Sequence, residues 1–74
     1  MQYLLYKKRK EKHMTQEDMA KLLGISRNSY GKKERGHVPF DQDEMFTISN
    51  HFEEDMDKIF LPRKFQIGNK EQKV

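Results

Sequence analysis

The sequence predicts an all-α domain, a compact arrangement of five short helices. Three observations carry that expectation. Apolar residues recur three and four positions apart, and no stretch alternates apolar and polar residues long enough to read as a strand. Helix-opening residues stand ahead of the stripes at Thr15, Ser26, Asp41 and Asp55, with Gly24, Gly36 and Pro62 as stops. Finally, Gly and Pro are few, four and two among 74 residues, which leaves little of the turn chemistry that a β fold needs.

The first helix is expected over residues 2–12, where Leu5 and Arg9 share one face and Tyr6 lies nearby. Thr15 opens the second as an N-cap, with Asp18 three residues on as the acid of a capping box. Its apolar stripe is Met19, Leu22 and Leu23, with the small Ala20 beside them, and Gly24 ends it in the left-handed conformation. Only Ile25 separates that glycine from the next cap, Ser26. The third helix should run from Arg27 to about Arg35 with Tyr30 inward and Gly36 as its stop. Phe40 precedes an Asp41-Gln42-Asp43-Glu44 cap that opens the fourth, carrying Met45, Ile48 and Phe52 on one side and Phe46 and Ser49 next to them. Asp55 is read as the cap of a fifth helix bearing Met56, Ile59 and Phe60, stopped by Pro62 because the residue before proline disfavours the helical region. On this reading residues 1–61 form one domain, and residues 62–74, which lack periodicity, a basic and mobile tail.

Composition limits the possibilities further. Sixteen residues are Leu, Ile, Val or Phe, about 22% of the chain and just above the level at which a highly charged chain stays disordered. Without cysteine there is no disulfide, thiolate metal site or Cys nucleophile. No apolar run exceeds four residues, so no segment spans a bilayer. The short apolar start followed by a basic run reverses the secretory order, and a cytoplasmic location is expected. His13, His37 and His51 lack the spacing of a metal site, and paired acids such as Asp41/Asp43 and Glu53/Glu54 read as caps and solvated charges. No nucleophile–base pair or phosphate loop is visible, so an enzyme, a cofactor and a small-molecule ligand are not expected.

The net charge of +3 conceals a segregation. Residues 1–38 hold ten Lys/Arg against four acids, net +6; residues 39–61 hold seven acids against Lys58, net −6; residues 62–74 are net +3. So sharp a split in a small domain points to a polyanionic partner for the first part, with the acidic part turned away.

The informative segment is Thr15–Gly36, TQEDMAKLLGISRNSYGKKERG. Two short helices joined through Gly24-Ile25-Ser26 make a helix-turn-helix, whose second helix enters the major groove of DNA. Ala20 is small where the helices cross, Ile25 plugs the angle between them, and Tyr30 docks the second helix onto the core. Ser26, Arg27, Asn28, Gly31 and Lys32 are left on its outward face.

In these residues the chain resembles the phage repressor and Cro family of helix-turn-helix regulators, also called Xre-like. The likeness extends from about Leu4 through Leu61, including MDKIF. It implies a five-helix domain of the phage-repressor type that binds operator DNA as a homodimer. It implies that Ser26, Arg27, Asn28 and Lys32 contact bases, Arg27 as a fork to guanine and Asn28 as a bidentate partner of adenine. Backbone contacts are expected from Gln16, Gly31, Lys33, Arg35 and His37, with Gly31 admitting close approach of the DNA. Arg9 and Glu34 match a pair that in this family joins the first and third helices. Met56, Ile59 and Phe60 match a region that often supplies dimer contacts. Lys8 and Lys33 depart from the family, standing where aliphatic residues are usual, and His13 replaces a common glycine. The function expected is sequence-specific transcriptional regulation, most simply repression. The rival is a protein-interaction adaptor of antitoxin or coactivator type that keeps the fold and binds a protein through its acidic part.

Overall fold

A computed structural model describes residues 1–61. The tail expected over residues 62–74 lies outside the described residues. Among them the chain forms helices α1 (Tyr3–Glu11), α2 (Gln16–Leu23), α3 (Arg27–Glu34) and α4 (Gln42–Phe52), then a 3-10 turn at Met56–Lys58.

The caps do what their chemistry allows. The Thr15 hydroxyl accepts the Asp18 N–H at 3.0 Å while the Asp18 carboxylate accepts the Thr15 N–H at 2.9 Å, a complete capping box. That backbone bond, followed by the Thr15 hydroxyl, holds the Asp18 carboxyl below the usual carboxylate range. Asp41 and Glu44 form the same box at the start of α4. Ser26 caps α3 by accepting the Ser29 N–H at 3.0 Å. Gly24 closes α2 at φ 71°, where a side chain would be strained. His13 takes φ 58° after α1, a conformation that histidine tolerates better than most residues.

The core is Leu5, Met19, Ala20, Tyr30, Ile48, Phe52, Ile59 and Phe60, with Met14, Leu22, Leu23, Ile25, Phe40, Met45 and Met56 packed around it. α2 packs against both α3 and α4. The rings of Tyr30, Phe40 and Phe60 meet edge to face at 6.0 and 5.3 Å, which joins α3 to the segment before α4 and to the end of the domain. Phe46, expected beside the α4 stripe, is 57% exposed.

The expected fifth helix is not formed. Asp55 makes no side-chain cap bond, and only one 3-10 turn follows, with the Ile59 and Phe60 N–H groups both donating to the Met56 carbonyl. Six residues between Asp55 and Pro62 are too few for a stable α-helix, and burial of Ile59 (0% exposed) and Phe60 (8%) fixes the segment instead. Those two side chains are committed to the core, so of the three residues expected at a dimer contact only Met56 retains surface.

α3 carries almost no apolar face. A polar network holds it instead, and Glu34 is its centre. Its carboxylate accepts from Arg9 Nε at 2.8 Å, Arg9 Nη2 at 3.1 Å, the Tyr30 hydroxyl at 2.8 Å and Gln16 Nε2 at 3.1 Å. Arg9 Nη1 also donates to the Met14 carbonyl at 2.8 Å. One buried guanidinium therefore ties α1 to the turn before α2 and, through Glu34, to α3. Burial alone would push the Glu34 carboxyl up, but the bonds from Arg9, Tyr30 and Gln16 outweigh it and leave it lowered. The bond to Glu34 raises Arg9 against its desolvation, and burial pushes the Tyr30 hydroxyl up.

Two ion pairs attach the acidic part to the basic one. Lys33 Nζ donates to both Glu44 oxygens at 2.6 and 2.8 Å, with side chains 15% and 12% exposed, so α3 is fastened to α4. Lys8 Nζ meets Glu54 at 3.2 Å, fastening α1 to the end of α4. The two lysines, expected at aliphatic positions, thus hold their amines against carboxylates.

Removing one partner of the buried pair, as in Glu34→Ala, should destabilise the domain by about 3–5 kcal/mol, read by chemical denaturation. Because the Glu34 carboxyl is lowered on folding, its contribution is complete above about pH 4.3, the unfolded-chain value, and is lost as pH falls through the folded value. The stability gap between wild type and Glu34→Gln should therefore narrow below about pH 4; a gap that holds constant from about pH 6 to about pH 3 would place the acid sensitivity elsewhere. Lys33→Met, which keeps an apolar stem but loses the amine, should cost about 1.5–3 kcal/mol, the range for a lost hydrogen bond to a charged group. A melting curve unchanged from wild type would contradict that.

Candidate nucleic-acid interface

α2 and α3 are joined by a turn too short to relax. The Ile25 N–H donates to the Ala20 carbonyl at 3.0 Å, Gly24 reverses the chain, and Ser26 reopens it as a cap. With Tyr30 and Glu34 held inside at 0% and 1% exposure, the opposite face of α3 has to point outward. Asn28 and Lys32 are exposed on that face, and Ser26 and Arg27 are exposed at the start of the helix. The first turn of α3 holds no acid, so its free N–H groups and the arginine beside them present one sign of charge. The Ser26 hydroxyl already works as the cap and donates to the Ser29 hydroxyl at 3.0 Å, which leaves it less to offer a base than Arg27 or Asn28.

The residues expected at the DNA backbone separate into three groups. Arg35 and His37 are exposed just beyond α3, where the His37 N–H donates to the Lys32 carbonyl at 2.9 Å. Gln16 is half-buried on the first turn of α2, its amide donating to Glu34 and so fixed from behind. Gly31 and Lys33 do not stand where they were expected. Lys33 is drawn to Glu44 because both oxygens of that carboxylate lie within bonding reach of its amine. Gly31 is buried, covered by the side chains of Arg35 and Gln16, whose nearest atoms would lie 3.1 and 3.6 Å from a Cβ added there.

An open polar cleft of about 740 Å³ continues this surface toward α1, bordered by Lys10, His13, Gln16, Glu17 and Arg27. Lys10 and His13 belong to the basic surface although nothing in the sequence reading placed them there. Their signal was available: only four residues separate α1 from α2, so the end of α1 must border the first turn of α2. Among the described residues no group of acids and histidines can hold a metal ion, and no helix is long and apolar enough to cross a membrane.

No curated protein and no solved structure matches the chain. A model of the helix-turn-helix family matches residues 5–59, which takes in α1 through the 3-10 turn. With the crossing helices, the glycine turn and the outward α3 in place, the chain belongs to the Xre/Cro-like helix-turn-helix family of DNA-binding regulators.

Proposed function

We propose that the chain is a sequence-specific transcriptional regulator, a repressor that occludes a promoter by binding operator DNA as a homodimer with α3 in the major groove. The observation that carries this reading is the asymmetry of α3. Its inner face is locked by Glu34 and Tyr30, while Asn28 and Lys32 stand exposed on the outer one and Arg27 stands exposed at the helix start. Arg27 supplies a fork for guanine O6 and N7, Asn28 a bidentate match for adenine, and Lys32 a base edge or phosphate. Gln16, Arg35 and His37 position the domain on the sugar–phosphate backbone. A dimer would read half-sites one helical turn apart, about 34–36 Å, with Met56 the member of the expected contact set that still has surface to give.

The adaptor reading keeps one specific observation in its favour. Phe46 is 57% exposed on α4, near Asp43 in the acidic part of the chain, and DNA binding through α3 makes no use of it.

Fluorescence anisotropy of a duplex from the region upstream of the gene, against a scrambled duplex, separates the two. The regulator should prefer the upstream duplex, and its affinity should fall steeply as salt rises from about 50 to about 200 mM. Arg27→Ala should cost about 1–3 kcal/mol on the preferred duplex and relax one base pair per half-site. Lys33→Met should leave the salt slope unchanged, since its amine neutralises Glu44 and not a phosphate. Equal affinity for both duplexes would overturn sequence-specific regulation; no binding to either would favour the adaptor. Sedimentation velocity with and without a near-palindromic duplex should show a two-to-one complex, and a one-to-one complex at saturation would remove the homodimer.

A further inference from the structure

Arg27, Gly31 and Arg35 stand four residues apart and so share one stripe of α3. A helical side chain leans toward the N-terminus of its helix, which carries Arg35 back over Gly31. The structure shows how far it goes. A Cβ built on Gly31 would lie 3.1 Å from Arg35 Nη1, 3.8 Å from Arg35 Cζ and 3.6 Å from Gln16 Oε1. The guanidinium and the Gln16 amide thus converge over one bare stretch of backbone, which they bury while Arg35 itself stays exposed. Gln16 is not free to move away, because its Nε2 is bonded to Glu34, which Arg9 and Tyr30 fix in turn. The other amide atom, the acceptor Oε1, is the one that faces the Gly31 position.

We propose that Gly31 is a positioning residue for DNA binding: its missing side chain docks the Arg35 guanidinium beside Gln16 as a pre-ordered phosphate fork. The inference rests on the DNA-binding reading above and deepens it. An exposed arginine ordinarily gives up rotamer freedom when it grips a phosphate, and a docked one has given it up already. A glycine also weakens the helix that carries it, so its presence in the middle of α3 is accounted for by the close approach it permits. Direct contact of DNA with Gly31 is replaced by contact through Arg35.

Two measurements on Gly31→Ala, Arg35→Ala and the double variant test this. In the free protein, ¹⁵N relaxation should show the Arg35 Nε–H group ordered in wild type and loosened in Gly31→Ala, with Arg27 unchanged; an Arg35 signal that does not respond overturns the docking. On DNA, Gly31→Ala and Arg35→Ala should each weaken the upstream and scrambled duplexes alike by about five- to tenfold and flatten the log–log salt slope by about one. The double variant should bind no more weakly than Arg35→Ala alone. Fully additive losses, or wild-type affinity in Gly31→Ala, overturn the positioning role. The melting temperature of Gly31→Ala should equal or exceed that of wild type, so that lost affinity is not lost folding; a lower one overturns the view that only the flexible end of Arg35 opposes a Cβ there. A wild-type chain that binds neither duplex overturns the DNA-binding reading and the phosphate role with it, whereas the relaxation measurement, made without DNA, judges the docking by itself.

Discussion

Everything that α3 does depends on the carboxylate of Glu34. Four donors reach it, two from Arg9 and one each from Tyr30 and Gln16, and they come from α1, α2 and α3 itself. A recognition helix in a small domain has a structural difficulty: its outer face must be polar for DNA, and its inner face has only two turns with which to grip the core. In this chain the inner face is Tyr30, Lys33 and Glu34, one aromatic and two charges. Apolar packing is tolerant of small slides, whereas hydrogen bonds to a fixed carboxylate are directional. A buried ion pair adds little net stability over an apolar contact, since desolvation consumes much of what attraction returns. What it gives α3 is a defined rotation about its axis, and that rotation decides which residues face outward.

The same view changes the meaning of the charge segregation. From the sequence, the +6 and −6 parts look like a DNA-facing half and a half turned away. In the fold, Glu44 and Glu54 reach back to Lys33 and Lys8, so the acidic part serves first as a set of clamps on the basic one. Two of the ten cations of residues 1–38 are thereby neutralised inside the molecule, and Arg9 is a third. The positive field left on the α3 side comes from fewer groups, chiefly Arg27, Lys32 and Arg35, with Lys10 at the margin. Concentrating the charge there ties the electrostatic attraction to the orientation in which bases can be read.

Local signals made most of the fold legible. The boxes at Thr15/Asp18 and Asp41/Glu44, the Ser26 cap and the left-handed Gly24 act within three or four residues, and each is found where its chemistry placed it. What escaped was decided at a distance. The partner of Lys33 lies 11 residues away and that of Lys8 lies 46 away, and a lysine read alone gives no hint of either. The last segment has the apolar spacing of a helix, but Ile59 and Phe60 are held by the core and not by a helical ladder. Glu53 ends α4 at φ 56° without the glycine that would have announced it; the Ser49 hydroxyl and carbonyl bind the Glu54 backbone and hold the turn. At Gly31 the sequence shows that space exists in α3, and the fold shows that the protein's own arginine uses it.

The base contacts proposed for α3 set a tolerance on all of this. A bidentate contact is lost if the side chain arrives rotated or displaced by a fraction of its bond length, and a helix pivoting at one end moves most at the other. α3 is anchored at both. At its start, the Ile25 N–H on Ala20 and the Ser26 cap fix the pivot a residue or two before Arg27 and Asn28. At its end, the Gln2 N–H donates to the Glu34 carbonyl at 2.8 Å while Arg9 holds the Glu34 side chain, so backbone and side chain of one residue are secured by two neighbours in α1 and its cap. Gln2 is in turn bonded through its amide to both the N–H and the carbonyl of Leu61. The two extremities of the described chain therefore meet at the far end of α3, and the whole length of the described domain holds those eight residues in place.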